Sequence, residues 1–127
     1  MTVRPETSDK AALFKKMEKA LRLMGETHSL QDVVDALQKG EMQLFHNDRA
    51  IVITEIAVSP RKKFANVFMS AGELEGVIEL KAQLVDWAKK NGIEFARAAV
   101  RPGYEKYLKD AGWRSKMVLM DFDLKGN

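Results

Sequence analysis

The most apolar stretch of this chain, Ile51-Val-Ile-Thr-Glu-Ile56, is interrupted by one acid, Glu55. An ionisable group there is costly unless it is paired or faces a cleft, where it could take a proton. It is equally at home on the solvated face of a half-covered antiparallel sheet, with no chemistry to perform. A second candidate is Ser70-Ala71-Gly72-Glu73-Leu74-Glu75-Gly76, the glycine-bearing run that opens the longest helical pattern. Unpaired N–H groups at a helix start attract anions. Here Glu73 and Glu75 stand in the first turn, where carboxylates suit the helix dipole and repel a further anion. Ser70 and Glu73 are also spaced as a capping box, which is a purely structural role. Tyr104 and Tyr107 place two phenols on a short C-terminal helix, where their structural role would be amphipathic packing.

Other chemistries have little to work with. His28 and His46 show no metal-ligand spacing, no Ser-His-Asp arrangement can be inferred, and no metal site is expected. Cysteine is absent, which removes disulfides, thiolate ligands and cysteine nucleophiles together. The seven methionines are spread over core-like positions, and Trp87 and Trp113 suit core burial or a partner contact. The 21 basic and 18 acidic residues are intermixed at a net charge of +3. The densest basic run, Arg61-Lys62-Lys63, is short, so nucleic-acid association is a weak alternative. No apolar run approaches the ~20 residues of a membrane helix. Met1–Glu6 lacks the apolar core of a secretory signal, and a cytoplasmic protein without membrane contact is expected.

The elements that must position these residues fall into two blocks of a single domain, 1–40 and 41–127. In the first, Thr7, Ser8 and Asp9 offer N-caps, and Leu13, Met17, Ala20, Leu21 and Met24 share one helical face. Ser29 and Asp32 form a capping box for a second helix with Leu30, Val33, Val34 and Leu37 on its apolar side. In the second block, 42–46, 50–58 and 64–69 read as strands, the first two joined by the turn Asn47-Asp48-Arg49. A long helix over 74–90 follows, then a strand over 93–100, a short helix over 104–111 ending at Gly112, and an alternating strand over 115–124. A strand–helix–strand unit of these lengths makes its flanking strands parallel. The order is ααβββαβαβ: an α/β mixed sheet with an antiparallel meander and one parallel crossover.

That order resembles the GNAT superfamily of N-acetyltransferases. Tyr104-Glu-Lys-Tyr-Leu-Lys-Asp-Ala-Gly-Trp-Arg114 looks like the family's short helix closing on a Gly-aromatic pair, here Gly112-Trp113. The chain also looks like short GNAT-like proteins encoded by tailed phages, through Ile53–Ile56, Val67–Leu74, Trp87–Gly92 and Gly112-Trp113. The resemblance implies acetyl-CoA bound by backbone N–H groups of Ser70, Ala71, Gly72 and Gly76, with Glu55 as base and Tyr107 or Tyr104 as acid. Three departures argue against that activity. The phosphate loop lacks its basic residue and gains two carboxylates. The family's tyrosine position, four residues before the Gly-aromatic glycine, holds Leu108. Its asparagine position, seven residues earlier, holds Arg101. The expectation is a GNAT fold with a degenerate cofactor loop and no bound cofactor, acting on a phage or host protein in the host cytoplasm or the virion. The alternative is an active acyl-CoA-dependent N-acyltransferase.

Overall fold

The computed structural model describes residues 5–125, with side chains from residue 11 onward. Helix α1 (Pro5–Leu23) and helix α2 (Leu30–Gln38) precede strands β1 (Gln43–His46), β2 (Ala50–Val58) and β3 (Lys63–Gly72). Helices α3 (Leu74–Glu79) and α4 (Lys81–Lys90), strand β4 (Ala96–Ala98) and helix α5 (Pro102–Asp110) complete the order. The sheet runs β1-β2-β3-β4, antiparallel in its first two pairings and parallel in the last. This is the mixed α/β sheet expected from the sequence.

Strand β2 is central and apolar on both sides because helices cover both of its faces. Ile51 and Ile53 join Met69 and Ala71 of β3 against Met17, Leu21 and Val33 of α1 and α2. Ala50 and Val52 join Phe45 of β1 against Leu80 and Leu84 on the opposite face. At Ile53/Thr54 the register skips Phe68, so Ile53 pairs with Met69 and Thr54 with Val67. The extra residue is a β-bulge. It leaves Phe68 edge-on to His28, with ring centroids 4.7 Å apart. Thr54 is fully buried, and its hydroxyl donates to Gln43 Oε1 at 2.8 Å.

The predicted cap of α2 is present: Ser29 Oγ accepts from the Asp32 amide, and Asp32 accepts from the Ser29 amide. The Ser29 amide, followed by its hydroxyl, holds the Asp32 carboxyl below its ordinary value. Four expectations need correction. Helix α1 begins at Pro5, ahead of the caps expected at Thr7, Ser8 and Asp9, whose side chains lie outside the described residues. The single helix expected over 74–90 is two. The buried Leu80 shares its N–H between the carbonyls of Gly76 (3.3 Å) and Val77 (3.2 Å), tightening the turn between α3 and α4. Ser70 does not cap a helix. It is the antiparallel partner of Val52 inside β3, and Glu73 itself is the N-cap of α3, with no side-chain capping bond. The closing strand expected over 115–124 is not in the sheet. A strand holds only where its peptide groups find a ladder, and the turn at Ala111-Gly112 leaves this segment without one.

Gly72 lies where β3 turns into α3, at φ +112°. A Cβ there would sit 2.3 Å from the Arg49 carbonyl oxygen and 2.6 Å from the Ala50 Cα. Gly72→Ala is therefore expected to destabilise the fold by about 2–4 kcal/mol, through strain at positive φ and collision with backbone. Urea denaturation checks this. A separate expectation follows from the α2 cap. A lowered folded pKa contributes stability above the unfolded value and loses it as pH falls through the folded one. Asp32→Ala should therefore lower the thermal midpoint at neutral pH and have a vanishing effect in strong acid.

Candidate functional site

Strands β3 and β4 are paired over only three residues, Ala65–Val67 with Ala96–Ala98. Strand β3 runs on to Gly72 without a β4 partner, so the two parallel strands part toward the start of α3. An apolar cavity of ≈ 70 Å³ lies beside this parting, between the sheet and α3/α4. Its walls include Val67 and Ser70 of β3, Leu80 and Leu84 of the helices, and Ala98 of β4. Leu108 of α5 and Trp113 close the far side. Apart from the indole of Trp113, only Ser70 and Lys81 among the lining residues carry polar side chains, and the Lys81 ammonium donates to the Ala111 carbonyl at 2.6 Å.

The start of α3 is held by the β1–β2 turn. Asn47 Oδ1 accepts from the amides of Arg49 and Ala50, both at 2.9 Å, which fixes the turn. Asn47 Nδ2 then reaches across to donate to the Gly76 carbonyl at 2.9 Å. The Glu73 amide donates to the Arg49 carbonyl at 3.0 Å. A Cβ at Gly76 would meet the Cβ atoms of Ala50 and Arg49, each at 2.9 Å, so this helix can approach only as glycine. The Arg49 guanidinium bonds Glu79 at 2.7 Å and lies 3.5 Å from Glu75 and 3.9 Å from Glu73. Its hydrogen bond and charge contact with Glu79 hold it still more firmly protonated than usual. Three carboxylates along α3 thus share one guanidinium.

The other sequence candidates are placed apart. Glu55 pairs in register with Asn66, whose side-chain amide donates to its carboxylate at 3.0 Å. Its neighbour Thr54 faces Val67 and therefore the cavity side, so strand alternation puts Glu55 on the other face of the sheet. Tyr104 and Tyr107 are 42% and 44% exposed. Arg101 lies 5.9 Å from the Tyr104 ring and Lys106 lies 5.1 Å from the Tyr107 ring. It is Leu108 that lines the cavity. Ala71 is buried on the α1/α2 face, so of the four expected loop residues only Ser70 faces the cavity. Among the described residues no cluster of three or more metal-ligating side chains occurs.

This arrangement has counterparts among solved structures. A tetramutant of a Bacillus halodurans protein superposes with a TM-score of 0.65 at 14% identity, covering 98% of this chain and 100% of that one. A Trypanosoma brucei acetyltransferase gives 0.62 at 10% identity, with coverage of 89% and 94%. A structure described as a probable acetyltransferase gives 0.64 at 13% identity, with coverage of 90% and 89%. The fold is GNAT-like. At these identities the likeness shows the fold alone. No family model matches the sequence. No curated protein matches it either.

The open sides of Gly72 and Gly76 are filled by the backbone and Cβ of Arg49 and by Ala50. Among the described residues the only cation within salt-bridge reach of Glu73, Glu75 and Glu79 is Arg49, already engaged by all three.

Sequence reasoning identified Asn47 and Arg49 only as a turn. The signal available was Glu75 and Glu79 one helical turn apart with no Lys or Arg following at helical spacing, a like-charge pair that a cation from elsewhere relieves. Arg49→Met is expected to lower the thermal midpoint by a few degrees in dilute buffer and by less in high salt, where exposed charges are screened. Circular dichroism melts at both ionic strengths check this; an unchanged midpoint would make Arg49 an ordinary surface pair.

Proposed function

We propose that this protein uses a GNAT-like fold without acetyl transfer and acts by binding another protein. The observation that carries this reading is Leu108. It occupies the position where the GNAT resemblance puts the tyrosine acid, and its side chain lines the cavity beside the parted strands. A hydrocarbon there can neither protonate a departing thiolate nor be replaced in that role by Tyr104 or Tyr107, which lie outside the lining. The crowding of Gly72 and Gly76 by the Arg49 turn supports the same reading. So does the acidic first turn of α3. The resemblance to phage-encoded proteins makes a virion or host protein the partner under this reading.

One observation favours active acyl transfer instead. The amides of Leu74, Glu75 and Gly76 have no backbone partner among the described residues, and amides bind phosphate whatever their side chains. Under that reading Glu55 is the base, Tyr107 or Tyr104 the acid, and Ser70 to Gly76 the cofactor loop. A nucleic-acid role has less support, since Lys62 pairs with Glu94 at 3.2 Å and Lys63 donates to the Asn91 carbonyl.

Isothermal titration with acetyl-CoA separates the first two readings. No saturable heat is expected, and micromolar binding displaced by free CoA would overturn the proposal.

A further inference from the structure

Helices α1 and α2 cover only part of the sheet face they pack on. Their buried contacts are with Ile51 and Ile53 of β2 and Met69 and Ala71 of β3, all on one side of the bulge at Ile53/Thr54. Beyond the bulge a second set of side chains occupies the same face. Glu55 pairs in register with Asn66, and Asn66 with Arg97, so an acid, an amide and a base stand in one row across β2, β3 and β4. Beside this row the rings of Phe64 and Phe95 are stacked, with centroids 4.7 Å apart and planes 9° apart. The Arg97 guanidinium lies over both, 4.8 Å from Phe64 and 5.4 Å from Phe95.

The acid and the base of this row do not pair. The Glu55 carboxylate takes the Asn66 side-chain amide at 3.0 Å, and Arg97 has no salt bridge among the described residues. Contact with aromatic rings uses the charge of a guanidinium without consuming a hydrogen-bond acceptor. The Arg97 fork therefore keeps the N–H pairs that a carboxylate fills bidentately. The two rings also hold the side chain in place before any ligand arrives, so less rotamer freedom is lost on binding. The neighbouring basic run supplies no continuous track for a phosphate backbone, because Lys62 pairs with Glu94 and Lys63 donates to the Asn91 carbonyl. One oriented fork with an acid in its own row suits a carboxylate better than a polyphosphate.

We infer that this face docks an acidic segment of a partner protein, with one of its carboxylates seated on the Arg97 fork and an adjoining apolar side chain on Phe95, which is 38% exposed. The inference rests on the reading that this protein acts by binding another protein, and it names the surface and the chemistry of that partner. Arg97 is the anchor. Phe64 and Phe95 position it, and Asn66 keeps Glu55 from neutralising it. The face lies on the side of the sheet away from the apolar cavity, so docking here leaves the parting of β3 and β4 uncovered.

The test follows the backbone amide resonances of the full chain at low salt as a blocked hexaglutamate peptide is added. Saturable shifts should concentrate on Phe64–Val67 and Phe95–Ala98. Arg97→Gln should weaken this binding about tenfold, with the rest of its spectrum unchanged. Arg97→Lys keeps the charge, loses the fork and should weaken it severalfold. Absent or unsaturable shifts in the wild-type chain, or either Arg97 variant binding like wild type, would overturn the inference. So would oligothymidylate moving the same amides at lower concentration than the peptide, which would make the face a nucleic-acid surface. Acetyl-CoA binding alongside intact peptide shifts would refute the silent cofactor loop and leave this face standing.

Discussion

The contact on which the site depends is the approach of the Asn47–Ala50 turn to the first turn of α3. Backbone and helix meet here at distances that leave no space for a β-carbon, and glycine stands at both points of closest approach. Asn47 ties the turn to itself and to the Gly76 carbonyl, and Arg49 gathers Glu73 and Glu75 from the start of α3 and Glu79 from its end. In a nucleotide-binding loop, glycine makes room for phosphate. In this chain the same freedom makes room for a neighbouring loop of the protein itself.

Much of the fold was legible because the relevant forces are local. The Ser29–Asp32 box specifies the start of α2 within four residues, and β2 matched its expected bounds because its apolar run is bracketed by turn signals. What was misread depends on distant partners. Ser70 and Glu73 have capping-box spacing, but pairing with Val52 draws Ser70 into the ladder before any helix begins. The break at Leu80 comes from burying that side chain against Phe45 and Val52, which the periodicity of residues 74–90 does not reveal. Alternation identified residues 115–124 as strand-like but carries no information about which edge they meet. Of the candidate site, the sequence indicated the acidic helix start and the substitution at Leu108. It could not place Glu55 on the face away from the cavity, because that follows from the register between β2 and β3.

The geometry separates two properties that fold likeness tends to merge. The parting of β3 from β4 is a property of the sheet and survives here together with its cavity. The acid, the base and the phosphate cradle are properties of individual side chains. Under the proposed reading the acid position holds Leu108, the candidate base Glu55 lies across the sheet, and the Arg49 turn packs on the helix start. Chemistry resides in such residues rather than in the architecture that carries them.

The most direct test of the account is the nuclear magnetic resonance of the backbone amides from Gly72 to Val77 in the full-length chain as CoA is added. If the Arg49 turn fills the helix start, these resonances stay in place through millimolar additions. Saturable shifts concentrated on Leu74, Glu75 and Gly76 would place the diphosphate on those amides and contradict the account.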